Sequence, residues 1–388
     1  MSLPLWKIKR ELKRVLPKTL ETLAEPFRHL TFLPLYDLRK KRLMQVADGT
    51  LPPGPEIGIY LIFPDKGVLP SHMTMIHAMV RQGISPVVVS NCPLSPEDRA
   101  TLASTAFRVI ERPNIGYDFG GYRDGILSIA DLLPGLKRLW VLNDSAWLID
   151  ATGSWFATAR GLDRDFAGSV SNFGIRKVDM QDHTRIRWAF NTANRRFHYV
   201  SNAWCIGTRI LSDPAFLKFW KRLQIRDSKQ LTVRRGEVGF SQWVIRHGYT
   251  HGATHEIAGL DDALAHLSDS ALDAVARHLL VIDPACESVK TDVLSLDPGT
   301  REGRAARITL CLTATARFGY LIAMPYYLLH HAQLPFFKKS VLAASADTVA
   351  LALAIMNDLP GDTAAAIRDE ALARARAKGT LPKVQAEA

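Results

Sequence analysis

The sequence predicts an α/β fold: a mostly parallel sheet flanked by helices, with helical extensions at both ends. One observation predicts it, and two more bound the class of protein. Short apolar runs alternate with helical stretches from residue 57 to residue 143, which is the signature of successive β-α-β units. The composition, 47% hydrophobic and 22% charged over 388 residues, is that of a globular chain with a sizeable core. Four cysteines, Cys92, Cys205, Cys286 and Cys311, stand far apart and form no CxxC pair, so neither a zinc site nor a disulfide framework is expected.

The elements follow in order. Leu5, Ile8, Leu12, Val15 and Leu16 recur at helical spacing, with Lys7, Lys9, Arg10, Lys13 and Arg14 mainly on other faces. Such a basic amphipathic helix suits either a bilayer interface or docking on its own domain. Residues 1–50 therefore read as a basic helical extension, with contact between residues 1–16 and the inner membrane surface one of these two readings. LPPGPE (51–56) is a linker that opens a core expected over 51–265. Strands are predicted at 57–63, 84–91, 106–112 and 137–143, and helices at 70–82, 95–105 and 120–132. The second helix carries its own start signal, Ser95 as N-cap with Pro96 at the first helical position. Beyond 150, strands are predicted at 166–174 and 197–211, then helices from Asp213-Pro214, at 237–248 and at 261–280. Residues 266–388 read as a helical C-terminal region.

No run reaches the ~18 apolar residues of a membrane-crossing helix, and MSLPLWKIKRELKRVL lacks the apolar core of a signal peptide. A cytoplasmic location is expected. The formal net charge is +11. Residues 1–50 hold 11 Lys/Arg against 5 Asp/Glu, and residues 160–235 hold 16 against 6. Anionic partners are implied. Nucleic acid is not expected, because no RRM, KH or helix-turn-helix pattern is present.

In an open α/β sheet, ligands bind outside the carboxyl ends of the strands. Two acid-bearing loops lie there. The first is RPNIGYDFGGYRDG (112–125). Asn114 and Gly116 suit a turn, and Gly120 and Gly121 are placed to offer helix N-terminal N–H groups to a phosphate. Asp118 either caps that helix or holds a donor hydroxyl. The second loop is NDS, Asn143, Asp144 and Ser145, directly after the strand at 137–143. One carboxylate and two neutral oxygens can hold Mg²⁺ or Mn²⁺ weakly, with Asp144 as the anionic ligand.

The order N-x-G-x-D-F-G, a helix, then an apolar strand ending in N-D-S resembles the rhamnan synthesis protein F family of glycosyltransferases. Here it reads NIGYDFGGYRDGILSIADLLPGLKRLWVLNDSAW. FAGSVSNF, HYVSNAWCIGTRILSDPAFLKFWKRL, GEVGFSQWVIRHGY and PYYLLHHAQLPFFKKS are similar to later pieces of that family, in the same order. The resemblance implies a GT-A-like, Rossmann-type core. It implies transfer of a sugar, rhamnose or another deoxyhexose, from a nucleotide-diphosphate sugar to a cell-surface polysaccharide or lipopolysaccharide, with inversion. The acceptor would be a glycan or lipid-linked glycan. Asn143, Asp144 and Ser145 take the place of a D-x-D loop that holds metal and the donor diphosphate. Only one of the three is a carboxylate, so basic residues of 176–196, Arg187 among them, would supply missing charge. Glu237 is implied as the base that deprotonates the acceptor, with Asp118 as the other contender. His198 and Ser201 lie on a strand from which they could touch donor or acceptor. The alternative is a non-catalytic glycan- or membrane-binding scaffold of a polysaccharide assembly complex.

Overall fold

Residues 33–381, apart from 41, 150–153, 226–227 and 360, are described by a computed structural model. The basic helix expected over residues 1–16 lies outside them.

The apolar runs assemble into an eight-stranded sheet. Its strands are β1 (Gln45–Asp48), β2 (Glu56–Ile62), β3 (Ser85–Ser90), β4 (Arg108–Glu111), β5 (Arg138–Asn143), β7 (Phe166–Gly168), β10 (Ala203–Gly207) and β11 (His251–Ala253). Their order is β1-β4-β3-β2-β5-β10-β7-β11. The short β6 (Ala146–Leu148) and β12 (Phe336–Lys338) pair with each other, as do β8 (Ser171–Asn172) and β9 (His198–Tyr199).

The expected β-α-β run is present. β2, β3, β4 and β5 are parallel neighbours, and their near-continuous apolar character reflects burial on both faces. The sheet as a whole is mixed. β1 runs antiparallel to β4, and β10 runs antiparallel to both β5 and β7. The stretch 197–211, expected as one strand, is split because the chain turns at Ser201–Asn202 between β9 and β10. β1 joins the sheet from the segment expected as a helical extension.

Side-chain alternation along the strands feeds two cores. Ile57, Ile59, Leu61 and Val141 pack with Phe119, Tyr122 and Ile126 of the helix Tyr117–Ser128 and with Trp204, Trp220 and Phe240. On the other face Tyr60, Ile62, Trp140 and Leu142 pack with Met75 and Met79 of the helix Pro70–Arg81 and with C-terminal residues such as Leu310 and Leu328. The helix Pro96–Ala103 starts as expected, with Ser95 accepting a hydrogen bond from Asp98 N. A third cluster joins Trp147 and Phe337 of the β6–β12 pair to the helices Ala346–Asn357 and Asp362–Lys378. The helical region after 266 is thus built directly onto the strand that carries the NDS loop.

The second half of the glycine-rich stretch is structural. Arg112 donates to Asp124 at 2.7 Å and to Asn91 at 2.5 Å, and Tyr36 donates to Asp124. Arg123 donates to both carboxylate oxygens of Asp37 at 2.8 Å. These bonds fasten the segment before β1 to the helix Tyr117–Ser128.

Candidate functional site

The two acid-bearing loops meet. Asn143 Nδ2 donates to Asp118 Oδ2 at 3.0 Å. They meet beside the carboxyl ends of β2 and β5, where the strand order β4-β3-β2-β5 reverses direction along the chain. A cavity of about 440 Å³ opens there. Asp118, Asn143, Ser145, His198, Ser201 and Glu237 all line it, as do Lys229, Lys338, Lys339, Arg374 and Lys378. Cations therefore outnumber carboxylates in its wall, which favours an anionic occupant.

Asp118 sits in the first turn of its helix, whose N-cap is Gly116 at φ 78 without a side-chain cap bond. Asp118 is thus free of the capping role. Burial pushes its carboxyl up to about 6; Lys338 opposes this, while Asp144 and Glu237 add to it.

Glu237 is placed differently from expectation. It does not open a helix. It lies inside the π turn Arg234–Val238, between the helical segments Lys229–Val233 and Gly239–Arg246. Such π turns are frequent at functional sites. Glu237 Oε1 accepts from Ser201 N at 2.7 Å, and Oε2 lies 3.6 Å from His198 Nε2. His198 Nδ1 faces the Arg196 carbonyl at 2.7 Å. A carbonyl only accepts, so Nδ1 carries the hydrogen and Nε2 is turned to Glu237. His198 and Ser201 both reach the site through the β9–β10 turn.

Asp144 is held elsewhere. Its Oδ2 accepts from Phe63 N at 3.0 Å and lies 3.2 Å from His72 Nε2. Leu69 N donates to His72 Nδ1 at 3.1 Å, which leaves the hydrogen on Nε2 for Asp144. Burial raises the Asp144 carboxyl, but the His72 hydrogen bond, the Lys339 charge and the Phe63 N–H together hold it below the usual carboxylate range. Asp144 is not among the residues lining the cavity.

The fit of the NDS loop to Mg²⁺ or Mn²⁺ is poor. Asn143 Oδ1 already accepts from Ser145 N at 3.1 Å and from the Ser145 hydroxyl. Ser145 Oγ in turn accepts from Lys338 Nζ at 2.8 Å. Among the described residues no group of three or more His, Cys, Asp and Glu side chains converges to hold a metal ion.

Other expected residues stay away. Asn114, Gly116, Gly120 and Arg187 do not line the cavity. The Gly120 N–H donates to Gly116 O at 2.8 Å and so is not free for phosphate. The glycines serve close packing: a Cβ at Gly121 would meet Leu61 Cδ1 at 2.3 Å, and one at Gly116 would meet Ile225 Cβ at 2.5 Å. The basic side chains of 176–196 likewise do not line it, and Arg185 pairs with the nearby Asp182. Positive charge comes instead from Lys229, Lys338 and the helix Asp362–Lys378. Lys338 had a signal, since it ends the PFFK piece of the quoted PYYLLHHAQLPFFKKS. His72 had none.

Comparison with known proteins finds one family and one relative. A family model described as rhamnan synthesis protein F matches residues 86–282. Uncharacterized protein y4gN of Sinorhizobium fredii is 30% identical over 203 residues, which cover 50% of this chain. The chain spans 46% of that relative's length.

Proposed function

The chain belongs to the rhamnan synthesis protein F family, and from that premise we propose that it is a glycosyltransferase with a GT-A-like core. It moves rhamnose or another deoxyhexose from a nucleotide-diphosphate sugar to a cell-surface polysaccharide or lipopolysaccharide acceptor, with inversion. The observation that carries this reading is the convergence of Asp118, Glu237 and several cations on one cavity at the strand-order reversal.

Glu237 takes the proton of the acceptor hydroxyl. Its Oε1 is oriented by Ser201 N, and Oε2 faces His198, which can share the accepted proton. The acceptor oxygen bonds to the anomeric carbon as the bond to the diphosphate breaks. The electron pair leaves on the phosphate oxygen, towards the cationic wall. Asp118, fixed by Asn143, is placed to accept hydrogen bonds from donor hydroxyls.

No helix among the described residues is long and apolar enough to cross a membrane. A lipid-linked acceptor would be met at the cytoplasmic membrane face, with the basic residues of 1–16 drawn to anionic lipid.

The test is sugar transfer with UDP-, GDP- and dTDP-linked sugars and a lipid-linked glycan acceptor. Glu237→Gln is expected to cut transfer at least about 100-fold while nucleotide-diphosphate affinity holds. Glycan binding with neither transfer nor donor hydrolysis across the panel would replace this reading with the scaffold.

A further inference from the structure

We propose that the Lys338 ammonium takes the place of a divalent cation in this cavity, binding the diphosphate of the donor and neutralising it as it leaves. The proposal rests on the glycosyltransferase reading and names how its site handles charge.

Three of the four side-chain oxygens of the NDS loop already hold hydrogen bonds. Asn143 Oδ1 is occupied by Ser145, Ser145 Oγ by Lys338, and Asp144 Oδ2 by His72 and Phe63 N. What stands beside this loop is an ammonium group. The β12–β6 register sets Lys338 opposite Ala146, next to the loop, and fixes its approach.

The two adjacent lysines divide their work where the chain changes conformation: β12 ends at Lys338, and a 3-10 turn begins at Lys339. Lys339 is spent inside the protein. It donates to Glu370 at 2.9 Å and to Ser71 at 3.3 Å, and lies 5.2 Å from the centre of the Trp147 ring. Lys338 makes one bond, to Ser145. An ammonium has three hydrogens, so others remain for the cavity. Burial draws the Lys338 ammonium below the usual lysine range, while Glu237 and Asp118 favour the charge. An arriving diphosphate adds two acceptor groups to the same field. Arg374 and Lys378, four residues apart on one helix, line the cavity with Lys229 and complete an anion-attracting wall.

No proton leaves Lys338 in this account. The donor's anomeric C–O bond breaks with its electron pair going to the terminal phosphate oxygen. The charge that builds there is met by charge-assisted N–H···O bonds. The acceptor's proton goes to Glu237.

Calorimetric titration of UDP, GDP and dTDP tests this, in EDTA and again with Mn²⁺, for the wild type, Lys338→Met and Lys338→Arg. Transfer is assayed in the same buffers, and circular-dichroism melts confirm that each variant is folded. One nucleotide is expected to bind in EDTA, with Mn²⁺ changing its Kd less than about threefold. Lys338→Met should weaken it about tenfold to a hundredfold, the worth of one hydrogen bond to a charged group. Mn²⁺ should not rescue it, and Lys338→Arg should restore much of the loss. Binding and transfer that need Mn²⁺, or a folded Lys338→Met that binds as the wild type does, overturn the proposal and leave the glycosyltransferase reading standing. Transfer lost in Lys338→Arg with affinity intact would make Lys338 a proton carrier and also overturns it. If none of the three nucleotides binds in either buffer, both readings fall.

Discussion

Asp118 shows how much one carboxylate's surroundings decide. Its carboxyl is lifted to about 6, first by burial, with Lys338 opposing and Asp144 and Glu237 assisting. The folded value lies above the ordinary one, so the ionised form is disfavoured by folding. Stability therefore falls as pH rises from about 4 through about 6. Asp118→Asn keeps an acceptor for Asn143 and removes that penalty. It is expected to raise the melting temperature at pH 8, with a ceiling of about 3 kcal/mol from a two-unit shift, and to lose the advantage below pH 4. Transfer should drop at least about tenfold. Melting curves at the two pH values decide it; a lower melting point at pH 8 would make Asp118 a structural residue. That Asp118 and Asn143 meet was legible, because both follow parallel strands at their carboxyl ends. That Asp144 turns to His72 was not. A histidine in the first turn of a helix carries no mark of which loop it will touch.

At the scale of elements, the helix from Lys229 to Arg246 carries the base on a local irregularity. Two of its glycines differ in what surrounds them. A Cβ on Gly236 would meet the Phe119 ring at 2.2 to 2.6 Å, whereas one on Gly239 has only Arg234 O, at 3.5 Å. Phe119 is hemmed in by Trp204 and Trp220, at 5.7 and 6.3 Å between ring centres, and cannot yield. Gly236→Ala is expected to cost about 1–3 kcal/mol by overpacking. Gly239→Ala should gain up to about 1 kcal/mol from helix propensity. Urea unfolding of the two variants checks the opposite signs. The sequence pattern found this helix by its apolar spacing but began it eight residues late. The polar run KQLTVRRG lacks the periodicity that marks a buried face, although Thr232 is buried and Gly236 packs on Phe119.

At the scale of the whole molecule, the last described helix is bound to the core by a buried ion pair. Lys339 and Glu370 lie 2.9 Å apart, with side chains 5% and 8% exposed, and Trp147 Nε1 donates to Glu370 at 2.9 Å. Burial raises the Glu370 carboxyl, but Lys339, Ser71 and Trp147 hold it below its ordinary value. The stabilisation is thus present above the ordinary carboxylate range and lost as pH falls through the depressed folded value. Glu370→Ala leaves the buried Lys339 ammonium without its carboxylate partner and is expected to cost about 3–5 kcal/mol. Limited proteolysis should then cut the helix Asp362–Lys378 first, and nucleotide affinity should fall as Arg374 and Lys378 leave the wall. The parallel strands were legible because each is an apolar run separated from the next by a helical stretch, although their order in the sheet was not. The β6–β12 pair was not, since three-residue strands leave no period to read and their partners lie far apart in the chain.

That long reach has a consequence for synthesis. The hydrogen bond from Lys338 to Ser145 spans 193 positions, and the region matched by the family model ends at 282. A ribosome that has delivered everything up to 282 has released both acids and Glu237's whole helix, but not the ammonium that faces them. Until β12 emerges and docks on β6, Lys229 is the one lysine or arginine of the described cavity wall already made to balance those acids. Fragments or chimaeras cut at the edge of the matched region would inherit the same imbalance permanently.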